Sequence, residues 1–156
     1  MRQILVPVDF SPITAETIEH AARLAEKFGA EIALLHVAAP DPDFVGYETG
    51  PDTVREQVAT ELRTEHRELQ AHAEALRARG LRAHAICVQG PTVATILERA
   101  ERIGAELIVI GSHGHGALYR TLVGSVSEGI LYGTTCPVLL VPARERTTSS
   151  APTPGT

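Results

Sequence analysis

Apolar residues in this chain gather in short runs separated by amphipathic stretches. Ile4-Leu5-Val6-Pro7-Val8 is an unbroken apolar run ending at Asp9, which reads as a strand buried on both faces. Pro7 has no N–H to give a ladder, so this strand must be finishing there. From Ser11-Pro12 the spacing becomes helical, with Ile18, Ala22, Leu24, Ala25 and Phe28 on the apolar side. Ser11 is the expected N-cap, Pro12 the first helical residue and Gly29 the left-handed stop. A second strand is predicted over 31–37. The next stretch, 38–52, carries three prolines, two glycines and four acids and reads as a long loop of the kind that serves as a functional lid.

A longer helix is predicted over about 53–79, with Val58, Leu62, Leu69, Ala73 and Leu76 on one face. Its other side sets Glu61, Glu65 and Glu68 near Arg63 and Arg67, the pattern of a solvated face. Gly80 closes it. Residues 81–88 alternate as a third strand near a sheet edge. Gly90-Pro91-Thr92 opens a third helix carrying Val93, Ile96, Leu97 and Ala100, which ends by Gly104. A fourth strand over 106–110, a helix over about 124–132 broken by Gly133-Thr134-Thr135, and a fifth strand over 137–141 complete the pattern.

Strands alternating with helices predict an α/β fold. Each βαβ step demands parallel pairing and a right-handed crossover, giving an open five-stranded parallel sheet with helices on both faces. One domain is expected over 1–143. Residues 144–156, rich in Thr, Ser and Pro, cannot bury a core and read as a disordered tail.

Composition narrows the function. The chain has 156 residues, 44% hydrophobic and 21% charged, ordinary soluble globular material. A net charge of −5 and 4% aromatics argue against a nucleic-acid binder, which needs a basic surface or stacking platforms. No apolar run approaches the ~20 residues that span a bilayer, so no membrane role is expected. Residues 1–10 are strand-like and lack a basic leader region, so the expected location is the cytoplasm. Cys87 and Cys136 sit at the edges of apolar runs and read as reduced thiols, not as a bridge.

The chemistry concentrates in Ile110 to Ser127, I-G-S-H-G-H-G-A-L-Y-R-T-L-V-G-S-V-S. Strand, glycine-rich loop and helix start form a layout suited to an anion, because converging N–H groups and a helix N-terminus attract phosphate. No lysine precedes Ser125, and the only lysine is Lys27, so this is not a P-loop. Following the fourth strand, it is not a Rossmann fingerprint either. The spacing that fits is G-x2-G-x9-G-[ST], filled by Gly111, Gly114, Gly124 and Ser125. That pattern resembles the nucleotide-binding signature of the ATP-binding branch of the universal stress protein family. The opening I-L-V-P-V-D-F-S and the closing C-P-V-L-L-V-P resemble that family's ends, and the resemblance covers roughly 1–143.

The resemblance implies strand order 3-2-1-4-5, which places the switch point, where ligands sit in open α/β sheets, between strands one and four. It implies an adenine nucleotide, ATP or else ADP or AMP, with Mg²⁺ carried on the phosphates. Pro7 and Val37 would line the base pocket, with the Val37 backbone facing the adenine edge, and Val8 would count among the nucleotide-binding residues beside them. Asp9 would meet the ribose hydroxyls or the metal; without the resemblance it reads as an Asx-turn or helix cap. Ile110, Gly111, Ser112, His113, Gly114, Gly124, Ser125, Val126 and Ser127 would surround the phosphates. Ser125 and Ser127 read equally as N-caps. His113 would donate to phosphate, while His115 and Arg120 stay open between phosphate and solvent. The two loop histidines lack a third partner for zinc. His36 reads as a satisfied core or edge histidine.

No residue is assigned a catalytic role, since nothing here positions a water or clamps a leaving phosphate. The expectation is a nucleotide-dependent stress-response regulator with slow or no hydrolysis, acting through unidentified protein partners. A weak metal-dependent ATPase or phosphotransferase using Asp9 and His113 is one alternative, and a nucleotide-free interaction module another. The apolar fifth strand is an open edge suited to pairing with a second copy, and the resemblance implies a homodimer through it.

Overall fold

The computed structural model describes residues 1–38, 52–112 and 124–143, with the side chains of 52–58 left outside that description. The elements are β1 (Gln3–Pro7), α1 (Thr14–Phe28), β2 (Glu31–Ala38), α2 (Asp52–Ala78), β3 (Arg82–Gln89), α3 (Thr92–Ile103), β4 (Leu107–Gly111), α4 (Ser125–Gly133) and β5 (Val138–Val141). The five strands form one sheet in the order β3-β2-β1-β4-β5, and every pairing is parallel.

Period-two alternation of the buried strands divides the core. Ile4, Val6, Ile32, Leu34 and Val109 join α1 and α2 residues such as Ile18, Ala22, Leu69 and Ala73 on one face. Leu5, Ala33, Leu35, Ile108 and Ile110 join Ile96 and Ala100 of α3 and Ile130 of α4 on the other. This two-sided cover is why the strands read as unbroken apolar runs. Leu5, fully buried, contributes about 1.5–3 kcal/mol by leaving water. β3 and β5 are the edges, as the alternation of β3 predicts.

Two expectations at α1 are corrected. Ser11 does not cap the helix and Pro12 is not its first residue: α1 begins at Thr14, with Ile13 at the N-cap position and no side-chain cap. The reason is Asp9, whose Oδ1 accepts from the Ser11 N–H at 3.0 Å and from the Thr14 hydroxyl at 3.4 Å. That Asx-type turn holds residues 11–13 outside the helix. Phe28 is 56% exposed, not apolar cover. The chain reverses through Gly29 at φ 65°, and the Ala30 N–H bonds back to the Ala25 carbonyl at 3.1 Å. Ala30 therefore takes the buried place at this end.

Candidate functional site

Pro7 ends β1, and the next two residues leave the sheet. The Val8 N–H still reaches the Leu35 carbonyl at 2.8 Å, after which Asp9 turns outward and is exposed. Oδ1 of Asp9 makes the two turn bonds above. Among the described residues Oδ2 takes no hydrogen bond, so one carboxylate oxygen is left for a ligand or solvent. Both sequence readings of Asp9 are compatible with this one side chain.

Phe10 follows at φ 56°, a left-handed backbone that costs a non-glycine residue about 1–2 kcal/mol. Its ring lies against the His36 imidazole, centroids 4.7 Å apart. His36 is buried; its Nδ1 donates to the Val8 carbonyl at 2.8 Å. Nε2 lies 3.2 Å from Oε2 of Glu65 on α2, off the line of a hydrogen bond. Cys87, paired with His36 in the β2/β3 register, faces the same side. Burial pushes its thiol up from the ordinary range, with the Glu65 carboxylate adding to the effect. The Ser11 hydroxyl is buried without a partner among the described residues.

Val37 is half-buried one residue further along β2 and packs toward α3 and α4. The Leu35 carbonyl faces β1 and the Ala38 carbonyl, 3.3 Å from the Gly90 N–H, faces β3. By the period of two, the Val37 backbone groups face the β1 side, beyond the point where β1 has ended.

β4 reaches the same edge. Gly111 is its last residue, and a Cβ there would lie 2.6 Å from Ile13 Cγ2. This glycine therefore admits the first turn of α1, which sits between it and Asp9. Ser112 is buried; its N–H bonds the Val141 carbonyl at 2.8 Å and its hydroxyl accepts from the Ala143 N–H at 3.0 Å. The Gly124 N–H returns to the Ser112 carbonyl at 2.7 Å, so the crossover between β4 and α4 starts and finishes at one point. Ser127 donates its hydroxyl to the Gly111 carbonyl at 2.8 Å, pinning α4 to the end of β4.

These contacts refine the expected roles. The Ser127 hydroxyl proton and the Gly124 N–H are committed to the protein rather than held for a phosphate. No side chain caps α4, so neither serine is an N-cap. Ser125 and Val126 are exposed in the first turn, where helical backbone N–H groups have no partner within the helix. Ile110 is buried in the sheet and supports the site from beneath. His113 and Gly114, with His115, Gly116 and Arg120, lie outside the described residues, as does 39–51 of the expected lid. Lys27 is in the last turn of α1, at the opposite end of the sheet. Cys87 and Cys136 are free thiols on opposite sheet edges, a separation that forbids a bridge. Among the described residues no group of three or more His, Cys, Asp or Glu side chains could hold a metal ion, and no helix is long and apolar enough to cross a membrane.

Sequence reasoning gave no role to Phe10, Ile13 and Thr14, and it read Glu65 as part of a solvated face, whereas its carboxylate faces the buried His36 ring. Thr14 and Ile13 had a faint signal, standing just after an aspartate at a strand end; the positive φ of Phe10 and the reach of Glu65 had none.

An open parallel sheet whose strand order reverses between β1 and β4 defines a doubly wound α/β protein, the class of fold in which ligands sit at the switch point. The sequence pattern of the universal stress protein family matches residues 1–142, and the chain belongs to that family. A universal stress protein of Methanocaldococcus jannaschii is 32% identical over 142 residues, 90% of this chain and 81% of that protein. Universal stress protein YxiE of Bacillus subtilis is 33% identical over 144 residues, covering 89% and 97%. Among solved structures, UspA from Lactobacillus plantarum shares the fold with a TM-score of 0.77 at 23% identity, covering 90% of this chain and 97% of that one.

Proposed function

We propose that this protein binds an adenine nucleotide, ATP carried with Mg²⁺, in the crevice between the ends of β1 and β4, and that occupancy regulates what partner proteins meet. The observation that carries the reading is convergence at one sheet edge. Asp9, the Val37 backbone, Gly111 and the first turn of α4 come from distant parts of the sequence and lie at the C-terminal ends of neighbouring strands, where open α/β sheets bind ligands. Asp9 would hold a ribose hydroxyl or the metal through its outward oxygen, as hard cations prefer oxygen ligands. The first-turn N–H groups of Ser125 and Val126 would receive phosphate oxygens. His113 and Gly114, within the crossover, would complete the phosphate end.

Two relatives of the same fold support the ligand class. One universal stress protein was solved in complex with cAMP, at 20% identity and a TM-score of 0.64. The universal stress protein from Archaeoglobus fulgidus was solved with dAMP, at 21% identity and a TM-score of 0.60. Hydrolysis is proposed to be slow or absent, since phosphoryl transfer rests on a positioned nucleophile and clamped charge. The sequence places no P-loop lysine before Ser125 to clamp the phosphates.

The test is to purify the protein without added nucleotide, denature it and identify what is released. Stoichiometric ATP or ADP is the expected result. Nothing released, and no binding of added Mg²⁺-ATP below about millimolar, would overturn the reading in favour of an interaction module. Metal-dependent turnover above about 1 per second would move it to an enzyme.

A further inference from the structure

His36 touches the crevice from behind. A carbonyl oxygen only accepts, so the 2.8 Å contact with Val8 fixes the proton of the imidazole on Nδ1. The same ring supports Phe10 at 4.7 Å, and α2 closes over it through Glu65 at 3.2 Å. Val8 and Phe10 are the residues on either side of Asp9. Pro7 is the last paired residue of β1, so the sheet ladder does not continue to the Val8 carbonyl; an imidazole holds it instead. Phe10 stands in a left-handed backbone, which a phenylalanine keeps only where its surroundings over-determine it.

The geometry points to His36 as the positioning residue of the crevice: by holding Val8 and Phe10 it fixes the turn that presents the Asp9 carboxylate to a nucleotide. This rests on the nucleotide reading above and adds how its acidic group is aimed. Glu65 backs the ring and so ties that aim to α2. Asp9 in turn orders the start of the turn into α1, since its Oδ1 receives the Ser11 N–H.

The experiment uses the full chain and three substitutions. His36→Leu removes both ring nitrogens. His36→Asn keeps a donor near the place of Nδ1, and His36→Gln keeps one near the place of Nε2. Mg²⁺-ATP affinity should fall about tenfold in His36→Leu, the scale of one net hydrogen bond. It should fall as far in His36→Gln, while His36→Asn stays within about threefold of wild type. In an Asp9→Ala background, His36→Leu should weaken binding no further, because the two act through one group. An equal extra loss in that background, or His36→Asn as weak as His36→Gln, overturns the inference. If His36→Leu fails to fold, the Asn and Gln pair alone decides it.

A second readout needs no nucleotide. Amide exchange at Ser11, whose N–H is held by Asp9, should accelerate in His36→Gln and stay slow in His36→Asn. Equal protection in both overturns the inference. Wild type that binds no nucleotide, with the Ser11 pattern as expected, would sink the binding reading and leave the positioning of Asp9 standing.

Discussion

Gly111 shows how one residue serves two demands. Its place in G-x2-G-x9-G-[ST] suggests backbone approach to a phosphate, yet the space a Cβ would need is filled by Ile13 Cγ2 at 2.6 Å, with Thr17 Oγ1 at 3.4 Å. A Cβ-branched methyl on a buried residue cannot swing away as a long side chain can. Gly111→Ala should therefore destabilise the fold by about 1–3 kcal/mol through overpacking. Ile13→Ala, which removes the clashing methyl, should make the double variant less unstable than the two single losses summed. Thermal denaturation of the three variants checks this, and strict additivity would sink the packing account. The glycine was legible in the sequence; its neighbour was not, because Ile13 meets Gly111 only once α1 has docked on β4. Asp9 was legible for the same reason as Gly111, standing at a strand end. The bond between Ser127 and the Gly111 carbonyl was not, since motif spacing says nothing of which acceptor a hydroxyl will choose.

At the scale of elements, α1 and α2 lie on the same sheet face, and Arg79, just past the end of α2, fastens them on their exposed side. Its guanidinium reaches Glu19 at 2.7 Å and Glu26 at 2.8 Å, and Glu19 also takes Arg23 at 3.4 Å. The hydrogen bond from Arg79 is the main reason the Glu19 carboxyl sits below its ordinary range, against a desolvation that pushes the other way. A depressed carboxyl contributes stability that is present above its unfolded value and lost as pH falls through the folded one. Arg79→Met should thus lower Tm slightly near pH 7, slightly because exposed pairs are weak and screened. The gap from wild type should close as pH falls below about 4, where an unperturbed glutamate is protonated. A gap that stays constant as pH falls below that value would show that Arg79 acts through its stem and not its charge. Most element boundaries were readable to about one residue, because Gly29, Gly80 and Gly104 stop the first three helices at left-handed turns. The start of α1 was not: Ser11-Pro12 is a good helix opening by local rules, but Asp9 holds the Ser11 N–H in a turn and the Thr14 N–H goes to the Ser11 carbonyl instead of its side chain.

Among the described residues β5 is an edge of the sheet, and a second copy of the chain is the partner proposed for it. The Ile108 N–H bonds the Pro137 carbonyl and the Ser112 N–H bonds the Val141 carbonyl, so odd-numbered residues of this strand face β4. Even-numbered Val138 and Leu140 therefore direct their N–H and C=O groups outward. The strand is only half-buried up to Leu140, and an apolar edge with open backbone groups is a template for pairing. Leu140→Pro removes one outward N–H while leaving the β4 ladder its donors, since proline is tolerated where the N–H faces away from the sheet. Leu140 also packs against the α3 and α4 side of the core, so Leu140→Ala is the control that trims the side chain and keeps the N–H. Sedimentation should give a dimer for wild type and for Leu140→Ala, and a monomer for Leu140→Pro. Loss of the dimer in both variants would assign the contact to side-chain packing. A dimer that survives proline would place the interface elsewhere, because a pair built on this edge has no other use for the backbone it displays.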